Sequence, residues 1–406
     1  MRQSSCRSKL RNWGEEVKRY EQELEERHRQ QMREEMKAYL EAIDRKASQE
    51  VVGRGGYESK GLKRRRVLTA FGEVAIRVRC YENKRGHRIY PLRDVCGIGS
   101  ETVRARQRCV RLAVERPYGW SAELLREEFG MRLGRMRLWK IIQQEGQHAH
   151  QQLELERAKI YEQAQAGAEQ GLSKVPATME LDGTMLASRE PGERDQYGRK
   201  RMEVKVGVLF RGTRRVGRKK RKKTLQRTVY ARISDAEAFG ERWYTHCRHS
   251  GLGSGERVHC IADGGEWIRT VQHGHFPGSS YTLDLYHLKR RAHQVLFEHQ
   301  AERFLRLVKT GLVSTAIEYL ESLRPSDAHH REALSQFQHY VEQNRDGLRY
   351  EPGAIWGSGV IEKMVDIVVG KRMKRQGMSW SKRGANNLLA LRCRHINSMA
   401  APLTPH

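Results

Sequence analysis

Three short segments of this 406-residue chain each carry a carboxylate where a phosphoryl site built on a hard cation needs one. They read Met179-Glu180-Leu181-Asp182-Gly183-Thr184, Cys260-Ile261-Ala262-Asp263-Gly264-Gly265-Glu266-Trp267-Ile268 and Gly357-Ser358-Gly359-Val360-Ile361-Glu362-Lys363-Met364. Cations such as Mg²⁺ take carboxylate oxygens, and a pair of ions needs acids held by a rigid scaffold. Asp182 and Asp263 each close a short apolar run and precede a glycine, so each is expected where a strand ends in a tight turn. Glu362 falls early in a segment with helical apolar spacing. Asp366, one turn on, shares its stripe and is the reserve candidate.

The elements around these acids alternate. After the run ending at Asp182, Glu203 to Phe210 and Thr228 to Ile233 read as strands, and Asp235 to His249 as an amphipathic helix. Arg257 to Ala262 and Ser280 to Leu285 follow as strands. Three strands, a helix and further strands is the order of an RNase H-like α/β core, a mixed sheet flanked by helices, with Asp182 and Asp263 side by side. The stretch from 288 to 349 reads as an all-helical insertion, so the core is expected in two pieces, 171–287 and 350–397.

Ahead of that core, Trp13 to Ser48 is almost continuously charged and contains a single glycine, Gly14, which predicts a long helix over 1–50. Its sparse apolar positions suit either a solvated helix packed on its own chain or a dimerising coiled coil. Region 51–100 opens at Gly53-Arg54-Gly55-Gly56. There Lys63-Arg64-Arg65-Arg66 precedes Val67 to Thr69, and the alternating Val74, Ile76, Val78 and Cys80 complete a basic β-hairpin. In 101–170, Ser121 is placed as an N-cap and Gly130 as the residue ending that helix. A second helix, Arg135 to Gln144, would turn Met136, Trp139 and Ile142 inward and present Arg135, Arg137 and Lys140. The pair is helix-turn-helix-like, with an ordinary helical hairpin as the alternative. Residues 147–170 read as a helical connector.

The 77 Lys and Arg against 49 Asp and Glu give a formal charge of +28 and a pI near 10.1, which favours a polyanionic partner. Nine of the thirteen residues from Arg211 to Lys223 are basic, among them Lys219, Lys220 and Arg221, and phosphate contact suits them better than a solvated hairpin tip. The length suggests roughly two to four domains. No apolar run is long enough to span a bilayer and no signal-peptide core follows Met1, so no membrane role is expected. Seven scattered cysteines without a CxxC pair suit a reducing compartment. The cluster His246, Cys247, His249, His259 and Cys260 is too irregular for a zinc site, and its placement is read as incidental.

In order and spacing, several blocks resemble those of bacterial DDE insertion-sequence transposases. They are Leu181-Asp182-Gly183-Thr184, Ala262 to Ile268, Asp284-Leu285-Tyr286-His287 and Gly357 to Glu362. The tail from Arg372 to Ser381, with Gly384 to Leu389, strengthens the likeness, which is closest to the ISKra-type and ISLre-type families. It implies an RNase H-like nuclease whose Asp182, Asp263 and Glu362 hold Mg²⁺ or Mn²⁺, two ions in all. Asp284 and His287 match an accessory motif. One ion would activate water and the other stabilise the leaving 3′-oxygen, and the freed 3′-hydroxyl would attack target DNA. The implied partners are the terminal inverted repeats, target DNA and further copies of the chain on DNA. Lys374 and Arg375, in the basic tail block, are further DNA-contact candidates, and a bacterial cytoplasmic, nucleoid-associated location follows. The resemblance leaves two rivals. One is a repurposed DNA-binding protein without catalysis, and the other is a structure-selective nuclease that joins nothing. Read locally, His287 is more often a structural hydrogen-bonder than a catalytic residue, Glu266 a helix-capping or salt-bridging residue, and Trp267 and Trp380 packing residues.

Overall fold

A computed structural model describes residues 3–162, 175–192, 194–216, 221–351 and 355–399, with the side chains of 3–12, 214–216 and 221–223 excepted. The chain divides into two compact units, 1–142 and 143–406.

The first unit begins with α1 (Gln3–Gly53), one unbroken helix. Its C-terminal half packs on the rest of the unit. Leu40 packs with Val74, Ile76 and Val78, and the buried Asp44 accepts the Arg79 backbone N–H at 2.9 Å and its guanidinium at 3.2 Å. Trp13, Val17 and Tyr20 are exposed. The hairpin pairs β1 (Tyr57–Thr69) with β2 (Gly72–Asn83) around a two-residue turn, and β3 (Arg88–Ile89) adds to β2. Here β1 starts earlier than expected, so Lys63 to Arg66 lie within the strand. Their register sets Arg64 directly opposite Arg77, a like-charge pairing that costs stability in the absence of a counter-charge.

Then come α2 (Pro91–Asp94), α3 (Val103–Ala113), α4 (Tyr118–Phe129) and α5 (Arg135–Tyr161). Gly130 ends α4 at φ +62°, as its missing Cβ allows. Ser121 is not the N-cap. The helix starts three residues earlier behind Pro117, and Ser121 is buried with its hydroxyl 3.3 Å from the Arg116 carbonyl. The buried stripe of α5 is Leu138, Ile141 and Ile142, which leaves Met136 and Trp139 exposed.

The second unit is a mixed α/β fold. Its sheet strands are β4 (Ala177–Ala187), β5 (Arg201–Phe210), β8 (Thr228–Arg232), β9 (Val258–Ala262) and β10 (Ser280–Leu283), in the order β10-β9-β4-β5-β8. A separate two-stranded ribbon, β6 (Thr213–Val216) and β7 (Arg221–Thr224), rises between β5 and β8. The first three sheet strands run antiparallel, while β9 and β10 run parallel to β4. Helices α6 (Ala236–His249) and α7 (Glu266–His275) flank β9 in sequence. Four more follow β10: α8 (Leu285–Val295), α9 (Glu298–Lys309), α10 (Val313–Ser322) and α11 (Ala328–Gln343). They share one apolar core with the sheet, in which Phe304 and Phe337 cluster with Met179, Cys260 and Leu283. Cys247 and Cys260 lie in that same core, which is why their proximity to histidines means little.

The chain then returns through α12 (Gly359–Val365), a π-helical turn (Asp366–Gly370), α13 (Lys371–Met373) and α14 (Lys382–Ser398). On α14, Asn397 and Asn386 close the free edge of the sheet. The Asn397 amide exchanges two hydrogen bonds of 2.9 Å with the backbone of Val229, and Asn386 does the same for Ile233 at 2.8 and 3.1 Å. Side chains thus replace a neighbouring strand on β8. Among the described residues no helix is long and apolar enough to cross a membrane.

Candidate active site

Alternation along β4 divides its side chains between two faces. Met179 and Leu181 enter the apolar core, and Glu180, Asp182 and Thr184 face the other way. Asp182 is not at a turn, because β4 continues to Ala187 with Gly183 paired to Lys205. Asp263 does follow its strand directly, and Gly264 turns the chain at φ +83° into α7. The parallel register that pairs Ala177 with Val258 carries Asp182 to Asp263. The register pairing Ala262 with Leu283 likewise carries Asp263 to Asp284. Three aspartates therefore stand level in a row across adjacent parallel strands, Asp263 and Asp284 just past the carboxyl ends of β9 and β10 and Asp182 within β4.

Their surroundings give them different tasks. Burial raises the Asp182 carboxyl to about 6, helped by the charges of Asp263 and Glu362 and opposed by the Gly183 N–H and His287. Asp284 is buried, and burial alone would raise it. Pairing with His287 and hydrogen bonds from Ser358 outweigh burial and hold it well below the usual carboxylate range. Its Oδ1 accepts the N–H groups of Tyr286 at 2.7 Å and His287 at 3.0 Å, and its Oδ2 accepts the Ser358 N–H and hydroxyl. With both oxygens so engaged, Asp284 ties the start of α8 to the start of α12. His287 Nδ1 lies 3.7 Å from Asp284 Oδ1, an ion-pair distance and not a hydrogen bond, and this neighbour raises the imidazole against the effect of burial.

Glu180 has no part in the sequence reading, yet it sits closest to the third acid's helix. It is fully buried, and its Oε2 accepts the Ile361 N–H at 2.8 Å, in the first turn of α12. Oε1 has no partner. Burial, reinforced by the charges of Asp284 and Glu362, raises Glu180 to about 8 despite the opposing N–H groups of Ile361 and Val360. The signal was available: an acid two residues before Asp182 on a strand shares its face. Glu362 itself is exposed and forms no ion pair among the described residues, whereas Asp366 faces Lys371 at 3.8 Å. The charge of Glu362 is among those that raise Asp182.

Lys374 reaches the same face through a hydrogen bond to Thr184 Oγ1. Burial and Arg201 lower its amine, and Asp182 pulls the other way. Arg375 is exposed, with its Nε on the Lys371 carbonyl at 3.0 Å. Trp380 is a packing residue, its indole N–H donated to the Met373 carbonyl at 3.0 Å. Trp267 packs edge-on to Phe239, and Glu266 is the exposed first residue of α7.

In the first unit, Arg135 and Lys140 are exposed on α5. Arg137 is engaged by Glu73 at 2.9 Å and Glu101 at 3.3 Å, so its charge is largely satisfied within the unit. Lys219 and Lys220 lie outside the described residues, and Arg221 is described only as the first residue of β7.

Among the described residues no three His, Cys, Asp or Glu side chains stand close enough to share a metal ion. The donor chemistry still fits one. Asp182 and Asp263 are hard oxygen donors whose mutual repulsion a divalent cation relieves, and Glu362 is unpaired on the facing helix.

The chain belongs to the family described as "Uncharacterised protein family (UPF0236)", which it matches over residues 10–401. No curated protein matches it. Among solved structures it is similar to the Drosophila P element transposase strand transfer complex. That match has 11% identity and covers 72% of this chain and 79% of that one, with a TM-score of 0.23, below the level at which two chains share a fold.

Proposed function

We propose that this chain is a DDE-type DNA transposase with an RNase H-like core, of the ISKra-type or ISLre-type insertion-sequence class. The observation carrying this reading is the row of Asp182 and Asp263 on adjacent parallel strands, with Glu362 on a helix whose charge Asp182 senses. The sheet order, three antiparallel strands followed by two parallel to the first, supports the core assignment. The formal charge of +28 supports a nucleic-acid substrate.

Asp182, Asp263 and Glu362 would hold Mg²⁺ or Mn²⁺, which supplies a Lewis acid for the phosphodiester and lowers the pKa of a water nucleophile. The chain's own groups do the rest. Glu180 and Asp284 fix α12 and α8 against the sheet, so Glu362 and His287 face the strand acids from opposite sides in sequence. His287, with its raised pKa beside Asp284, holds a proton for the departing oxygen. Lys374, on Thr184, offers a cation to the phosphate oxygens. The exposed β1 cations, with Arg135 and Lys140, bind the element ends. The open apolar positions Trp13, Val17 and Tyr20 on α1 offer a contact to a second copy, as joining two ends requires two sites.

Supercoiled plasmid carrying the DNA that flanks the coding region tests this. With Mg²⁺ the wild type should nick at the element ends, and D182N, D263N and E362Q should each lose about a hundredfold or more while still binding DNA. An inactive wild type that binds the ends would favour the non-catalytic reading, and cutting without joining would favour the nuclease.

A further inference from the structure

Beside Asp263 lies a cavity of about 420 Å³ that the acids alone do not explain. His287, Arg290 and Arg291 of α8 wall one side, and Gln336 and Phe337 of α11 the other. The guanidinium carbon of Arg291 stands over the Tyr340 ring, 4.2 Å from its centroid. That ring is tied to the site, for the Tyr340 hydroxyl donates to the Asp263 carbonyl at 2.7 Å. Neither Arg290 nor Arg291 has an ion-pair partner among the described residues, although Asp263 lines the same cavity. Two unpaired guanidiniums, one pre-oriented on a fixed ring and both lining a cavity that ends at a candidate metal ligand, call for an anion.

We propose that Arg290 and Arg291 form a phosphate subsite for the DNA strand being cut, taking the phosphodiester next to the scissile one. This rests on the function proposed above and adds a role for α8 and α11, which thereby shape one wall of the substrate channel. Inside the cavity the guanidinium fork matches phosphate oxygens bidentately, and Phe337 and Val295 give the nucleotide an apolar wall.

The test is binding of fluorescein-labelled duplex with a single-stranded end to the full-length chain in EDTA, by anisotropy over a range of NaCl. The R290Q/R291Q variant should bind about tenfold more weakly at low salt. The slope of log Kd against log salt should fall by about one to two, as expected for losing one or two phosphate contacts. R303Q/R306Q on α9, with the same loss of charge, should change neither. An unchanged slope in R290Q/R291Q, or an equal loss in the α9 variant, would overturn the subsite. Deoxyadenosine monophosphate separates strand from free nucleotide. Failure to compete at millimolar concentration supports the strand, and micromolar one-to-one binding that R290Q/R291Q abolishes would overturn it. All four arginines are exposed, so circular dichroism melts should match wild type. EDTA removes catalysis from the readout, so a chain that binds DNA but cuts nothing defeats the proposed function without affecting this result.

Discussion

In the middle of β4 the chain runs extended through Asp182-Gly183, whereas after β9 it turns sharply at Asp263-Gly264. The two glycines are needed for different reasons. A Cβ on Gly264 would stand 2.8 Å from both the Asn344 amide and the Tyr340 ring, at a backbone angle that side chains avoid. Those neighbours cannot give way, since Asn344 is held by the Tyr281 hydroxyl at 3.0 Å and by the Tyr340 carbonyl at 2.9 Å. At Gly183 the obstacle is the end of the Glu203 side chain, which is partly exposed and can move. One aspartate is thus aimed by a rigid turn, and the other by the register of a central strand.

G264A should break the first arrangement. Left-handed strain and overpacking together cost about 2–4 kcal/mol, read as a lower midpoint in urea unfolding. G183A should cost less than about 1 kcal/mol, because only Glu203 must shift. Equal costs would mean that both aspartates are set the same way.

A smaller effect sharpens the contrast within β4 itself. In the metal-free chain Asp182, raised to about 6, and Glu180, raised to about 8, hold protons that the unfolded chain releases. Their contribution to stability is complete below about pH 4 and is lost as pH rises through 6 and then 8. The melting temperature should therefore fall between pH 5 and 9. E180Q, which keeps an acceptor for the Ile361 N–H and never ionises, should flatten the part above about pH 7. A wild-type melting temperature that rises over that range would contradict the buried placement of both acids.

Much of this second unit was legible because the sheet strands carry period-two or continuous apolar runs. Val204, Val206 and Val208 mark β5, although it is buried on both faces, with Lys205 enclosed beside Glu203. Turn chemistry misled at Gly183, since a glycine inside a strand and a glycine after one look alike without the partner strand. Helical phase misled on α5, where a shift of about 100° per residue exchanges Met136 and Trp139 for Leu138 and Ile141. The pairing of Arg137 with Glu73 and Glu101 depends on residues distant in sequence, as does the reach of Glu180 to α12. Neither is written in any local pattern.

The central claim is that Asp182, Asp263 and Glu362 together hold a divalent cation. Its most direct test is titration of Mn²⁺ into the metal-free full-length chain bound to element-end DNA, followed by the loss of the free-ion electron paramagnetic resonance signal. Wild type and D366N should bind alike, while D182N, D263N and E362Q each weaken binding by about tenfold or more. No Mn²⁺ binding by wild type, or a loss in D366N that E362Q does not share, would contradict it.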